Sequence, residues 1–174
     1  MPDFHPASAG LPRARAILDR EAERVSDIPD AILELTGGSS VAGALTGGDV
    51  DLHLRVPSEG FEAAVALLRE RYEVVHPEIW SSSLATFQVP GDDLVGVAVT
   101  PFGSEHDERF RRAWDHLRAD PAALHAYNTM KRAHAESDDA RYLAAKAAFF
   151  EDLASRTLDG APSGESSDRP DVIP

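Results

Sequence analysis

The spacing of apolar residues changes along the chain, and this change predicts a sheet followed by helices. Residues 11–25 repeat apolar side chains every three or four positions, which indicates an amphipathic helix. Short apolar or alternating runs follow and predict strands, with one helix, from Ser58 to Arg71, among them. The predicted strands cover residues 31–35, 49–56, 72–76, 85–89 and 94–99. Their connections are of different kinds, so the pattern predicts a mixed sheet.

Past Phe102-Gly103-Ser104 the period becomes helical and stays so to Arg156. Three helices are predicted, at Glu105–Arg118, Pro121–Ala135 and Asp138–Arg156, with short joints between them. Their apolar residues fall on one side of each helix, as in a small helical cap with its own core. We expect that core to contain Trp114, Leu117, Leu124, Tyr127, Met130, Tyr142, Leu143, Phe149 and Phe150.

Together these elements predict an α+β fold, a mixed β-sheet with flanking helices and a C-terminal helical cap. The 174 residues suit one domain, which we place at residues 11–157, with the sheet portion at about 31–103 and the cap at about 104–157. Residues 1–10 lack periodicity and are predicted to be a loose lead-in. Residues 158–174 are rich in glycine, proline and serine, and are predicted to be disordered.

Composition excludes several classes of protein. The net charge of −13 argues against nonspecific binding of extended nucleic acid, because that binding needs cationic side chains. The absence of cysteine excludes disulfides, zinc–thiolate sites and a cysteine nucleophile. The sequence shows no secretion signal and no apolar run long enough to cross a membrane, so we expect a cytoplasmic protein without a membrane partner.

A turn rich in glycine and serine, at residues 37–40, follows the first predicted strand. Glycine permits a positive φ and lets other groups approach the backbone closely. Ser39 and Ser40 are placed to cap a short helix over residues 41–45, and the N-terminus of such a helix attracts phosphate. This pattern predicts that Gly38 and Ser39 bind the phosphate groups of a ligand.

Asp49, Asp51 and His53 alternate with apolar residues and therefore share one face of a predicted strand. Two neighbouring carboxylates repel each other unless a cation lies between them, and magnesium or manganese fits such a pair beside phosphate. The alternative is that the aspartates only terminate a turn. His53 is either a further polar group at a metal site or a histidine with a structural role.

The arrangement of Gly38-Ser39, about ten residues and then an Asp-x-Asp strand resembles the nucleotidyltransferase superfamily. The C-terminal segments FRRAWDHLRADPAALHAYNTMKRAHA and ARYLAAKAAFFEDL resemble the closing helices of its GrpB family. This resemblance implies a nucleotidyltransferase-like fold, with Lys131 and Lys146 at the phosphates and Mg2+ or Mn2+ at the aspartates. It implies nucleotidyl transfer from a nucleoside triphosphate to a hydroxyl of a small molecule or a protein.

Two observations keep a second hypothesis open. The last strand, LVGVAV, offers no third carboxylate, unless Asp92 or Asp93 just before it reaches the aspartate pair. The two lysines also suit a solvated helix surface with ion-pair partners. Arg55 and Arg118 are lesser candidates for contact with the phosphates. The alternative function is therefore a binding or regulatory module that recognises a phosphorylated small molecule without chemical turnover.

Overall fold

The computed structural model of the chain describes residues 4–91, 94–135 and 138–159. Within them a five-stranded sheet and a two-stranded pair are flanked by five helices. The strands are β1 (His5–Pro6), β2 (Ile32–Thr36), β3 (Leu45–Thr46), β4 (Val50–Val56), β5 (Glu73–Val74), β6 (Ala85–Gln88) and β7 (Val95–Pro101). The helices are α1 (Ala7–Arg24), α2 (Phe61–Arg71), α3 (Glu105–Ala119), α4 (Pro121–Ala133) and α5 (Asp139–Asp159).

The large sheet has the strand order β2-β4-β7-β6-β5 and is mixed, as predicted. Only β4 and β7 pair in parallel, and the other neighbours are antiparallel. The parallel pair is joined through α2 and the strands that follow it. This register sets Asp51 of β4 between Thr36 of β2 and Gly96 of β7, at one end of the sheet.

The two faces of β4 meet different layers. Val50, Leu52, Leu54 and Val56 are fully buried in the main core, which the sheet forms with α1 and α2. At about 25 cal/mol per Å² of apolar surface, this continuous core is the main source of stability. The opposite face of β4 carries its polar residues toward the helical cap. The candidate functional residues of β4 lie on this face.

The helical cap is formed by α3, α4 and α5. Each helix begins at a polar residue whose side chain accepts a hydrogen bond from the first turn, namely Ser104, Asp120 and Asp138. Of the predicted cap core, Trp114, Leu117 and Tyr127 are buried, and Leu124, Met130, Phe149 and Phe150 pack against them. Leu143 was placed wrongly, since it is 59% exposed.

The predicted helix over residues 41–45 is wrong. A single 3-10 turn covers Gly38–Ser40, and Gly43 then takes a φ of 80°, which an α-helix does not allow. Leu45 and Thr46 extend the chain instead to pair with β1. Val41 and Ala44 are buried in the core of the cap, so the apolar residues of this stretch are used for packing.

Several predicted boundaries differ from the structure. The first helix begins at Ala7, so part of the expected lead-in is β1 and the first turn of α1. The helix predicted from Ser58 starts at Phe61, after a 3-10 turn at Ser58–Gly60. Helix α5 continues to Asp159, two residues into the tail predicted to be disordered, while residues 160–174 lie outside the described residues. No helix in the described ranges is long and apolar enough to span a membrane.

Candidate functional site

Four charged residues predicted to act together lie where the end of the sheet meets the cap. Asp49 directly precedes β4, Asp51 lies at the start of β4, and Lys131 and Lys146 come from α4 and α5. Each lysine contributes to the electrostatic environment of Asp51, so the four groups share one region. We call these four residues the acid–lysine cluster.

Asp51 is packed against the glycine turn. A Cβ built on Gly37 would lie 2.0 Å from the Asp51 carboxylate, and Gly37 has a φ of 69° with an extended ψ. Both observations require glycine, because other residues avoid this backbone region. On the other side, a Cβ on Gly96 would lie 3.7 Å from the same carboxylate. Gly37 therefore creates the space that Asp51 occupies, whereas a side chain at Gly96 would only contact it.

The Asp51 carboxylate makes no hydrogen bond or ion pair with any residue in the described ranges. Desolvation raises its pKa, against the opposing effect of Lys146; Asp49 raises it further and Lys131 lowers it. Every fully buried side-chain nitrogen or oxygen in the described part has a hydrogen-bond partner, so the unpaired oxygens of Asp51 must reach solvent. The result is a poorly solvated but accessible carboxylate that lacks a partner.

Asp49 is positioned by its neighbours. The Thr46 hydroxyl donates to Asp49 Oδ1 at 3.0 Å, and the Ser39 hydroxyl donates to the Asp49 carbonyl oxygen at 2.5 Å. Ser39, predicted to bind phosphate, therefore uses its hydroxyl to hold Asp49. Gly38 lies beside Lys131, because a Cβ built on it would be 3.6 Å from Lys131 Nζ.

The two lysines differ in how they are held. Lys131 is 3% exposed, and its ammonium group donates to the Leu45 carbonyl at 2.8 Å and lies over the Phe4 and Tyr127 rings. Desolvation lowers the pKa of Lys131 to about 8, although Asp49 opposes the shift. Lys146 is half-buried and has no hydrogen bond or ion pair among the residues described. Neither ammonium nitrogen lies within 4.0 Å of a carboxylate oxygen of Asp49 or Asp51. The lysines and aspartates of the acid–lysine cluster therefore interact without direct contact.

Two tyrosines that the sequence assigned to the cap core also face the aspartates. Burial, reinforced by Asp49 and Asp51, raises the pKa of Tyr142 to about 12, and the pKa of Tyr127 is raised as well. Neither phenol oxygen has a hydrogen-bond partner within the described part of the chain. A repeated signal marks them in the sequence, since Tyr-x-x-x-Lys occurs on both helices and places the two side chains one turn apart.

The remaining candidates have structural contacts. His53 is 2% exposed; its Nε2 shares a 2.7 Å hydrogen bond with Thr100, and burial lowers its pKa to about 4. Arg55 forms two hydrogen bonds with Asp107, at 2.5 and 3.0 Å. Arg118 donates to the Ser40 hydroxyl at 2.8 Å and stays near the glycine turn.

Metal-ligating groups are few in the described ranges. No set of three or more His, Cys, Asp or Glu side chains is placed there to hold an ion, so Asp49 and Asp51 form a pair without a third described ligand. Asp92 and Asp93, the predicted candidates for a third carboxylate, lie outside the described residues. The paired strand β7 presents only Gly96 and Ala98 opposite Asp51 and His53.

The comparisons with known proteins agree with this architecture. The model of the GrpB protein family matches residues 12–156, and the chain therefore belongs to the GrpB family. The crystal structure of conserved protein GrpB from Enterococcus faecalis is similar over 85% of this chain and 94% of that one, with a TM-score of 0.66 and 21% identity. This similarity shows a shared fold, and the match to the family model confirms the expected family.

Similarity to two further structures is weaker. The Cid1 poly (U) polymerase with MgGTP bound gives a TM-score of 0.49 at 16% identity, over 70% of this chain and 41% of that chain. The GLD-2/RNP-8 complex gives 0.46 at 15% identity, over 70% and 47%. At these scores neither structure carries an argument about this protein. No curated protein sequence matches the chain significantly.

Proposed function

We propose that this GrpB-family protein binds a nucleoside triphosphate with a magnesium or manganese ion at the acid–lysine cluster, and transfers the nucleotidyl group to a hydroxyl of a small molecule or a protein. The observation that carries the proposal is the unpaired carboxylate of Asp51, which faces the equally unpaired ammonium group of Lys146. A ligand that brings both a cation and anionic phosphates satisfies both groups at once.

The two aspartates fit the ion. Magnesium takes one or two protein carboxylates and fills its other positions with water and phosphate oxygens, so a pair of aspartates is sufficient. Asp51 has both oxygens available, and Asp49 has one that the Thr46 hydroxyl leaves unoccupied. The bound ion would neutralise charge on the phosphates and so favour attack at phosphorus.

The other residues of the site orient the nucleotide. Lys131 is fixed by the Leu45 carbonyl and Lys146 is not, so Lys131 supplies a rigid positive charge and Lys146 one that adapts to the phosphates. In the reaction, the acceptor oxygen bonds to the α-phosphorus, the bond to the bridging oxygen breaks, pyrophosphate leaves and the hydroxyl proton is released.

A second candidate function keeps the site without the chemistry. Opposite Asp51 and His53, β7 carries Gly96 and Ala98 in place of a carboxylate that could accept the hydroxyl proton. His53 is buried and already hydrogen-bonded to Thr100, which makes it a poor base. These observations favour a module that binds a phosphorylated small molecule without turning it over.

The proposal is tested by calorimetric titration of a panel of nucleoside triphosphates, with and without magnesium. We expect metal-dependent binding by the wild type, and its loss in the Asp49→Asn, Asp51→Asn double variant. The matched control is Asp19→Asn with Glu23→Gln, which removes the same charge from exposed positions of α1. Unchanged binding in the aspartate double variant, or no nucleotide binding by folded wild type, contradicts the proposal.

Release of pyrophosphate separates the two functions. With a bound nucleotide and a panel of hydroxyl compounds and proteins, the transferase releases pyrophosphate and the binding module does not. The phosphorus NMR spectrum of the mixture reports both the product and the remaining triphosphate, so turnover is measured directly.

A further inference from the structure

A cavity of about 110 Å³ lies between β2 and α3. Thr36 and His53 form part of its wall. Thr36 is paired with Asp51 across the strands, and His53 is the next residue on the same face of β4, about 7 Å along the strand. The cavity, which we call the α3 cavity, therefore adjoins the acid–lysine cluster on the side of β2.

Most charged groups around the α3 cavity are paired, and one is not. Glu34 accepts a hydrogen bond from Arg55 at 3.2 Å, and Asp115 accepts one from Arg118 at 2.7 Å. Arg111 also lines the cavity but forms no hydrogen bond or ion pair within the described ranges. Arg111 is exposed, so its guanidinium lies at the mouth of the cavity and is the lining cation without a protein partner among the residues described.

The size of the α3 cavity limits what it can hold. Its volume of about 110 Å³ exceeds the roughly 30 Å³ of a water molecule but is well below the roughly 300 Å³ at which ligand pockets begin. A single phosphate or carboxylate group fits, whereas a nucleotide does not. A guanidinium matches both groups, because its donors bind two oxygens in parallel.

We infer that the α3 cavity binds the phosphate or carboxylate group of the compound that receives the nucleotidyl group, with Arg111 as the main contact and Arg118 as the second. This inference rests on the proposed function. An acceptor anchored there by its anionic group holds its hydroxyl beside Asp51, where the α-phosphorus of a nucleotide at the acid–lysine cluster is accessible.

Inorganic phosphate is the probe for the cavity, and its binding is followed by amide shifts in 1H–15N NMR spectra. Arg111→Gln is compared with Arg112→Gln, which removes the same charge from the next residue, an equally exposed arginine that is paired with Glu108 and does not line the cavity. Phosphate affinity at residues around the cavity should fall at least about fivefold in Arg111→Gln, the loss of a charge-assisted hydrogen bond. It should stay within about twofold in Arg112→Gln. Equal affinities in the two variants overturn the inference.

The same titration with magnesium and a saturating triphosphate that has a methylene α–β bridge tests whether the two sites are separate. We expect phosphate to bind at Arg111 with its affinity unchanged within about threefold. Loss of phosphate from Arg111 would place the cavity within the nucleotide's own site and overturn the inference.

The two proposals fail in different ways. If nucleotide binds and Arg111→Gln has no effect on phosphate, the inference fails and the proposed function stands. If phosphate binds through Arg111 but no nucleotide binds, the proposed function fails, and with it the assignment of the cavity to an acceptor.

Discussion

One face of β4 carries three polar residues, and the polar side chains at its two ends differ in whether they have hydrogen-bond partners. At the far end, Arg55 pairs with the fully buried Asp107, and His53 shares a hydrogen bond with Thr100. At the near end, Asp51 has no partner in the described structure. Burial differs along this face as well, since His53 and Asp107 are buried whereas Asp51 is half-buried and its oxygens reach solvent.

The comparison separates structural polar groups from functional ones. A buried polar group without a partner costs about 1–3 kcal/mol, so folded proteins satisfy such groups where nothing else requires them. At the far end of β4, the buried polar groups find their hydrogen-bond partners within the chain. At the near end Asp51 and Lys146 are half-buried and have no partner among the residues described, so their charges remain available to contact a ligand.

The largest effect is expected at the satisfied end, in Asp107→Asn. Asp107 accepts two hydrogen bonds from Arg55 and one from the Gly103 backbone at 2.8 Å. Loss of the carboxylate leaves the Arg55 cation without its main partner, so we expect the free energy of unfolding to fall by about 3–5 kcal/mol. Urea denaturation measures this, and nucleotide affinity of the folded variant should be unaltered. A loss below about 1 kcal/mol would show that the pair is not structural.

The second effect is a loss of stability in acid that depends on His53. Burial lowers its pKa from 6.5 to about 4, with Asp107 opposing and Arg55 and Arg111 reinforcing the shift. The unfolded chain therefore binds a proton at a higher pH than the folded protein, and stability declines as pH falls from about 6.5 to 4. This single group contributes about 3 kcal/mol to the decline.

The variant His53→Gln isolates this contribution. Urea denaturation in EDTA between pH 7 and pH 4 should give a smaller decline for the variant than for the wild type. Parallel curves for the two proteins would mean that His53 is not buried in its neutral form.

The third effect compares the two lysines. In Lys146→Met the methionine keeps most of the apolar stem, and no described partner is lost, so stability should change by less than about 0.5 kcal/mol. Nucleotide affinity should fall by about 1.5–3 kcal/mol, the contribution of a charge-assisted hydrogen bond. Lys131→Met should lose similar affinity and also about 1 kcal/mol of stability, because its bond to the Leu45 carbonyl is lost.

Calorimetry and urea denaturation on the same samples give both quantities. Lost stability with unchanged nucleotide affinity in both variants would mean that the lysines stabilise the cap and do not bind nucleotide. Small changes in both quantities would indicate exposed ion pairs, which contribute about 0–1 kcal/mol.

Much of the fold was accessible from local patterns. The mixed sheet, the three cap helices and the family were predicted, because period, capping residues and turn glycines are local signals. The helix over residues 41–45 was predicted wrongly because its apolar residues suited either a helix or packing, and only the pairing of Leu45 with β1 decides between them. That pairing joins residues about 40 positions apart, so local sequence patterns do not reveal it.

The site was accessible in part. Asp49, Asp51, Lys131 and Lys146 were predicted and do share one region. Which polar groups lack partners could not be predicted, since it depends on contacts such as Thr100 with His53, 47 residues apart in sequence. For the same reason the sequence did not show that Ser39 holds Asp49, or that an unpaired Arg111 lines a cavity.

The central claim is that Asp51 is unpaired because it serves a ligand, and the most direct test is the stability of Asp51→Asn. Its raised pKa means that folding disfavours the charged form of Asp51, so the neutral amide should leave the free energy of unfolding unchanged or raise it. Metal-dependent nucleotide binding should be lost in the same protein. A loss of stability as large as that of Asp107→Asn, or nucleotide binding that persists, would contradict the account.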